Sequence, residues 1–244
     1  MISKDISMGR AVLENHRLLP LFVRFSIRLG FGEKSVEEVC RSHGINPDFF
    51  LEIANAYLDE AYVPHDDLSH FSLEAMVDYL KATHDYYVDV ALPRMEKKIR
   101  RLLDQSDLSE KEATLVSGFF DDYKQDFMVH ISREEQEILP YILELEKQSL
   151  KDWPDPGFLE HVKGNSIRKF AKEHDRLEYS LENLSQLIIK YLPPFEDQNL
   201  CVRVLRDLAE LVKDLADHAD MEDKVLIPRV SELEQQLIQK AETP

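Results

Sequence analysis

The chain predicts an all-α protein, a four-helix up-down bundle preceded by a small helical N-terminal domain. Three observations carry that reading. Only 7 glycines occur among 244 residues, few for a sheet-rich protein full of tight turns. Apolar residues recur at helical spacing, and no alternating run competes with them. Four long helical segments follow one another over residues 72–240, divided by short stretches of strong turn-forming sequence.

Residues 1–66 form the predicted N-terminal domain. Apolar residues recur with helical spacing from Ala11 to Leu29, and Ser35-Val-Glu-Glu reads as a helix N-cap followed by Glu at the third position. Asn46-Pro47-Asp48 starts a further helix with proline in its first turn, through Phe49, Phe50, Ile53, Ala54 and Tyr57. The polar run from Val63 to His70, with Pro64 inside it, is the predicted linker. Segment A then runs from about Ser72 to Leu103. Ser109-Glu-Lys-Glu is a capping box that opens segment B, which continues to about Leu150. Trp153-Pro-Asp-Pro-Gly157 predicts a loop, segment C covers roughly Asn165 to Tyr191, and segment D covers roughly Asp197 to Lys240.

Lys and Arg total 30 against 47 Asp and Glu, a formal charge of −17. Binding to nucleic acid needs a basic stripe that displaces counterions from phosphate, so this composition argues against a nucleic-acid partner and equally against anionic lipid. With 43% hydrophobic residues the chain can build a core. It has no apolar run of about 18 residues, and its N-terminus lacks the apolar stretch of a signal peptide, so no membrane span is predicted and the expected location is cytoplasmic. Cys40 and Cys201 lie far apart without CxxC spacing and read as ordinary buried thiols.

The histidines carry the chemistry. Of nine, four fall one per bundle segment: His84 on A, His130 on B, His174 on C and His218 on D. His130-Ile-Ser-Arg-Glu134 aligns with His218-Ala-Asp-Met-Glu222, and in both strings a proline, Pro140 or Pro228, follows the histidine by ten residues. His84-Asp85 and His174-Asp175 also match, offset by 90 residues where the first pair is offset by 88. The pattern is a pseudo-twofold repeat. Positions i and i+4 lie on one face of a helix, so each His-x-x-x-Glu brings an imidazole and a carboxylate to one place. A lone His or a lone pair of this kind is most often an ordinary surface or core feature; the repetition decides for a site. Four His and two Glu are too many for one tetrahedral zinc and suit two metal ions sharing carboxylates, iron foremost, with manganese or a mixed pair as the other occupants. Ferritin-like di-iron bundles use Glu-x-x-His instead, so a different site in a similar architecture is expected.

His16, His43, His65, His70 and His161 stand outside the repeat and read as solvated, the last in the loop before C. Asp126, one turn before His130, and Glu178, one turn after His174, are candidate orienting groups, although a solvated carboxylate is the plainer reading of each. Tyr86, Tyr87 and Tyr123 read first as core and second as pocket lining. Pro93, Pro140 and Pro228 are expected to bend their helices near one end of the bundle.

At these residues the chain resembles a hemerythrin-like HHE cation-binding domain over roughly 72–240, and within that group it looks most like the repair-of-iron-centres proteins. The resemblance implies a carboxylate- and oxo-bridged di-iron centre held by His84, His130, Glu134, His174, His218 and Glu222. Oxygen-carrying hemerythrins usually have an additional His ligand, and no fifth His occupies a repeat position here, which favours the stress-repair branch. The N-terminal stretch from Phe25 to Cys40 with Gly44-Ile-Asn-Pro47 is also similar to that family's small domain, except that its adjacent cysteine pair falls at Gly30-Phe31, so docking or homodimer formation replaces any thiol step as its expected role.

What the resemblance implies about activity is repair of iron–sulfur clusters under nitric oxide or oxidative stress, with damaged or apo iron–sulfur proteins and the diatomic gases NO and O2 as partners. A second reading is a sensor in which a bound gas alters how the N-terminal helices meet a partner. Metal storage is a third, and six ligands are too few for it. No assignment as an enzyme follows from the sequence.

Overall fold

A computed structural model describes residues 1–59, 62, 71–172 and 178–242. Among these the chain is helical, with one isolated antiparallel bridge between Ser7 and Ser35 and no strand. The predicted linker over 63–70 and the first part of segment C around His174 lie outside the described residues.

The N-terminal residues form α1 (Met8–Glu14), a 3-10 turn (His16–Leu18), α2 (Leu19–Arg24), α3 (Val36–Ser42) and α4 (Pro47–Leu58). Both predicted starts are present. Ser35 Oγ accepts the Glu38 N–H at 3.2 Å while the Glu38 carboxylate accepts the Ser35 N–H at 2.8 Å. Asn46 Oδ1 accepts the N–H groups of Asp48 and Phe49, with Pro47 in the first turn. At the end of α3, Gly44 takes φ +72, a left-handed conformation cheap only for glycine, and the Ile45 N–H folds back onto the Cys40 carbonyl at 2.9 Å. The apolar run from Ala11 to Leu29 is not one helix. Asn15 leaves the helical region at φ −141, ψ 85, and Pro20, which has no N–H and would crowd the carbonyl of His16, begins a new helix instead of extending the old one.

The later segments are long. Segment A is α5 (Leu73–Tyr86), a π turn (Tyr87–Ala91) and α6 (Leu92–Asp104) without a break; segment B is α7 (Glu110–Arg133), a π turn (Glu134–Ile138) and α8 (Leu139–Ser149). The predicted capping box at Ser109 and Glu112 opens α7. Segment C differs from expectation. The loop ends at Asp155, whose side chain caps a short helix α9 (Pro156–Gly164) by accepting the Phe158 N–H, so His161 is an exposed helical residue and not a loop residue. Proline is most at home in a helix's first turn, which is why Asp155-Pro156 starts a helix that a turn reading of Pro-Asp-Pro-Gly misses. Next come α10 (Ile167–Lys172) and α11 (Glu178–Lys190), and segment D is α12 (Gln198–Met221), a π turn (Glu222–Leu226) and α13 (Ile227–Glu242). At the three prolines expected to bend A, B and D, the helices carry these π turns.

Contacts divide the chain into two compact units. One comprises Met1–Thr83, Tyr141–Ala171 and Asp220–Pro244. Its N-terminal part packs aromatic rings: Phe25 meets Phe49, Phe50 and Tyr79 at 5.8, 5.3 and 5.0 Å between centroids. Two glutamates order helix starts in this unit from a distance in sequence. Glu146 accepts the N–H groups of Leu73 and Glu74 at 2.7 and 3.1 Å, and buried Glu234 accepts the Ile167 N–H and the hydroxyls of Tyr141 and Ser166 at 2.6–2.7 Å. A carboxylate suits the unsatisfied amides of a helix N-terminus.

The other unit comprises His84–Pro140 and Lys172–Ala219. Its core is built by α6 through Met95, Ile99 and Leu102, α7 through Val116, Phe120, Tyr123, Phe127 and Ile131, α11 through Leu181, Leu184 and Ile188, and α12 through Leu200, Val204, Leu208, Leu211 and Leu215. Each set recurs every three or four residues, which is the apolar stripe of an amphipathic helix turned inward. The histidine-bearing ends of α5, α7 and α12 lie beside this core.

Candidate metal centre

His84 lies in the last turn of α5 and is 1% exposed; Glu134 begins the π turn after α7 and is 2% exposed. His84 Nε2 approaches Glu134 Oε2 at 3.3 Å, and His130 Nε2 approaches the other oxygen, Oε1, at 3.2 Å. One carboxylate thus presents each oxygen to a different imidazole. His130 reaches this position because it precedes Glu134 by one helical turn. Near the end of α12, the buried ring of His218 stands edge-on to His84, 5.2 Å between centroids and 79° between planes. Buried Glu222 follows His218 by the same single turn. Taking one donor atom from each, His84, Glu134 and His218, all of one unit, lie within 4.8 Å of one another.

Five of the six residues singled out in the sequence are described: His84, Glu134 and His218 in this group, His130 on Glu134, and buried Glu222 one turn beyond His218. His174 lies outside the described residues. Asp126 is exposed, as the plainer reading of it expects, and the side chain of Glu178 is not among those described. Tyr87 is fully buried: its ring meets His218 edge-on at 5.7 Å and Phe127 at 5.7 Å, and its hydroxyl donates to the Asp214 carbonyl at 3.0 Å. It is core and site wall at once. Tyr123 belongs to the core beside Phe127, and Tyr86 is half-buried.

Glu135 is the residue that the sequence reading missed. Its Oε1 lies 3.2 Å from His84 Nδ1. A carboxylate only accepts, so a proton on Nδ1 would bond to Glu135 and leave the Nε2 lone pair for a cation shared with Glu134. The signal was available in the repeat, since each Glu of the His-x-x-x-Glu strings is followed by a second acid, Glu135 and Asp223.

The donor set fits a cation. It offers imidazole nitrogen and carboxylate oxygen without thiolate, and burying two carboxylates is costly unless positive charge balances them. Two donors at right angles about a cation at roughly 2.1 Å lie about 3 Å apart, close to the nitrogen–oxygen separations found around Glu134.

Residues 75–230 match the family model of the hemerythrin HHE cation-binding domain. The chain belongs to this family. The match embraces all three π turns and every member of the histidine repeat, so this hemerythrin-family chain carries its buried His/Glu group inside the domain for which the family is defined. Among curated proteins no match to the chain is found. Among the described residues no helix is long and apolar enough to cross a membrane.

Proposed function

We propose that this hemerythrin-family protein holds two iron ions between His84, His130, Glu134, His174, His218 and Glu222, with both glutamates bridging, and that it acts in repair of iron–sulfur clusters under nitric oxide or oxidative stress. The observation that carries the site is Glu134: a carboxylate almost wholly removed from water, with one oxygen toward His84 and the other toward His130. A bridging carboxylate has that layout. Manganese or a mixed pair satisfies the same donors. When bound, the pair of metals would supply redox change and open positions for a diatomic ligand. The chain's own part is to hold the donors at fixed orientation, to keep His84 in the Nε2-ligating tautomer through Glu135, and to close one wall of the site with Tyr87 and Phe127.

The architecture that goes with this reading is a four-helix bundle of segments A to D over 72–240, with residues 1–66 as a small domain for docking or self-association. The long uninterrupted runs Leu73–Asp104, Glu110–Ser149 and Gln198–Glu242 support it. The partners are damaged or apo iron–sulfur proteins and the gases NO and O2, in the cytoplasm.

Elemental analysis of anaerobically and aerobically purified protein, with visible spectra before and after NO or O2, tests the site. Two irons per chain with bands that respond to the gas are expected, and His130→Ala or Glu134→Ala should abolish two-metal binding. Iron transfer to an apo-cluster protein then tests the role. One zinc, or no metal with a silent spectrum, would remove the basis for repair.

A further inference from the structure

In an α-helix each N–H bonds the carbonyl four residues back. At three places in this chain it bonds the carbonyl five back: Leu92 to Tyr87, Leu139 to Glu134 and Ile227 to Glu222. The three π turns share one layout. Each opens on a buried residue of the site, Tyr87, Glu134 or Glu222, closes at a second buried residue five positions on, Leu92, Leu139 or Ile227, and is followed at once by a proline, Pro93, Pro140 or Pro228. On an α-helix, positions five apart point about 140° away from each other, since each residue turns about 100°. A wider turn brings them toward one face. That is why Glu134 and Leu139 are both 2% exposed.

Proline at the sixth position prevents the α ladder from closing. It has no N–H for the carbonyl four residues back, Asp89, Gln136 or Lys224, and its ring crowds that carbonyl. We infer that Pro93, Pro140 and Pro228 are register-setting residues, each fixing a π turn that swings the first residue of the turn inward while the helix beyond keeps its apolar face buried. Pro140 is thereby a positioning residue for Glu134, an assignment that rests on the metal-binding reading above. Leu139, Ile142 and Leu145 stay in the core beyond the turn, and Glu134 faces His84 and His130 before it.

The test is Pro140→Ala in the full chain. Alanine restores the missing N–H and removes the clash, so the ordinary α register becomes available. The metal-free variant should melt at a higher temperature than the parent, because a helix-interior proline is costly, while its affinity for iron, measured by chelator competition, falls at least tenfold. The two readouts move in opposite directions, which a purely structural proline would not produce. A second variant, deletion of Gln136 combined with Pro140→Ala, removes the extra residue outright and should remain helical by circular dichroism while losing the iron that depends on Glu134. Iron affinity within twofold of the parent in either variant overturns the inference, as does a parallel fall of stability and affinity in Pro140→Ala. Failure of the metal reading looks different: the parent itself would then bind no iron, and the positioning role would fall with it.

Discussion

Glu135→Ala separates a ligand-orienting carboxylate from a merely nearby charge. The side chain is 38% exposed and its described contact in the site is Oε1 to His84 Nδ1 at 3.2 Å. Removing it leaves every donor in place and frees the imidazole of His84 to change tautomer or rotate. Outer partners of this kind are worth about 10–100-fold in metal affinity. The length of the hydrogen bond and its partial exposure place this one at the lower end, about tenfold, or ~1.4 kcal/mol. Folding should be almost untouched, within about 0.5 kcal/mol by urea titration of the metal-free protein, as for other surface substitutions. The assay is chelator competition for iron in the parent, Glu135→Ala and Glu137→Ala. Glu137 is an exposed acid two residues away whose described partner is Arg133, 3.7 Å distant, so it matches the change in charge without touching His84. An equal loss in both variants, or none in Glu135→Ala, would refute the orienting role.

Other consequences concern stability. Glu234→Ala strips three donors of one buried acceptor, the Ile167 N–H and the hydroxyls of Tyr141 and Ser166. At about 1–3 kcal/mol for each group left unsatisfied, with water relieving part of the loss, the cost should be at least about 3 kcal/mol by urea unfolding, and a change below about 1 kcal/mol would show that the network is not cooperative. Burial pushes the Cys40 thiol up to about 12. An unfolded thiol ionises near 8.5, so the folded chain binds the proton more tightly and this contribution to stability, complete below that value, declines as pH rises toward 12. Cys40→Ala should flatten that decline, and iodoacetamide should label Cys40 at pH 9 only after unfolding; rapid labelling of the native protein would contradict the buried thiol.

Legibility in the sequence tracked the range of the interaction responsible. The capping boxes at Ser35 and Ser109 and the Asn46 cap span three residues of chain, and both partners stand in the string. The His-x-x-x-Glu pairs are equally local, one turn of helix, and their repetition marks four of the five described candidate residues as pairs; His84 is legible only through its match to His174. Where a local rule had several outcomes, the sequence did not choose. Proline can break, bend or widen a helix: at Pro20 it opens a new helix, at Pro156 it starts one inside an expected loop, and at Pro93, Pro140 and Pro228 it accompanies a π turn. Packing of the residues on either side selects among these. Glu135 escaped because its partner is 51 residues away on another helix, although a second acid after each Glu of the repeat was in plain view.

The sequence alone determined that the chain is helical, where most of its helices start, that Cys40 and Cys201 are not paired, and which histidines and glutamates share a helical face, because periodicity and capping are properties of neighbours along the chain. Only the tertiary structure decided that His84 and His130 address opposite oxygens of Glu134, that His218 meets His84 edge-on against Tyr87, and that Glu134 opens a π turn. Those are relations between helices. They are set by which apolar faces can be buried together, and burial is settled by the whole chain at once.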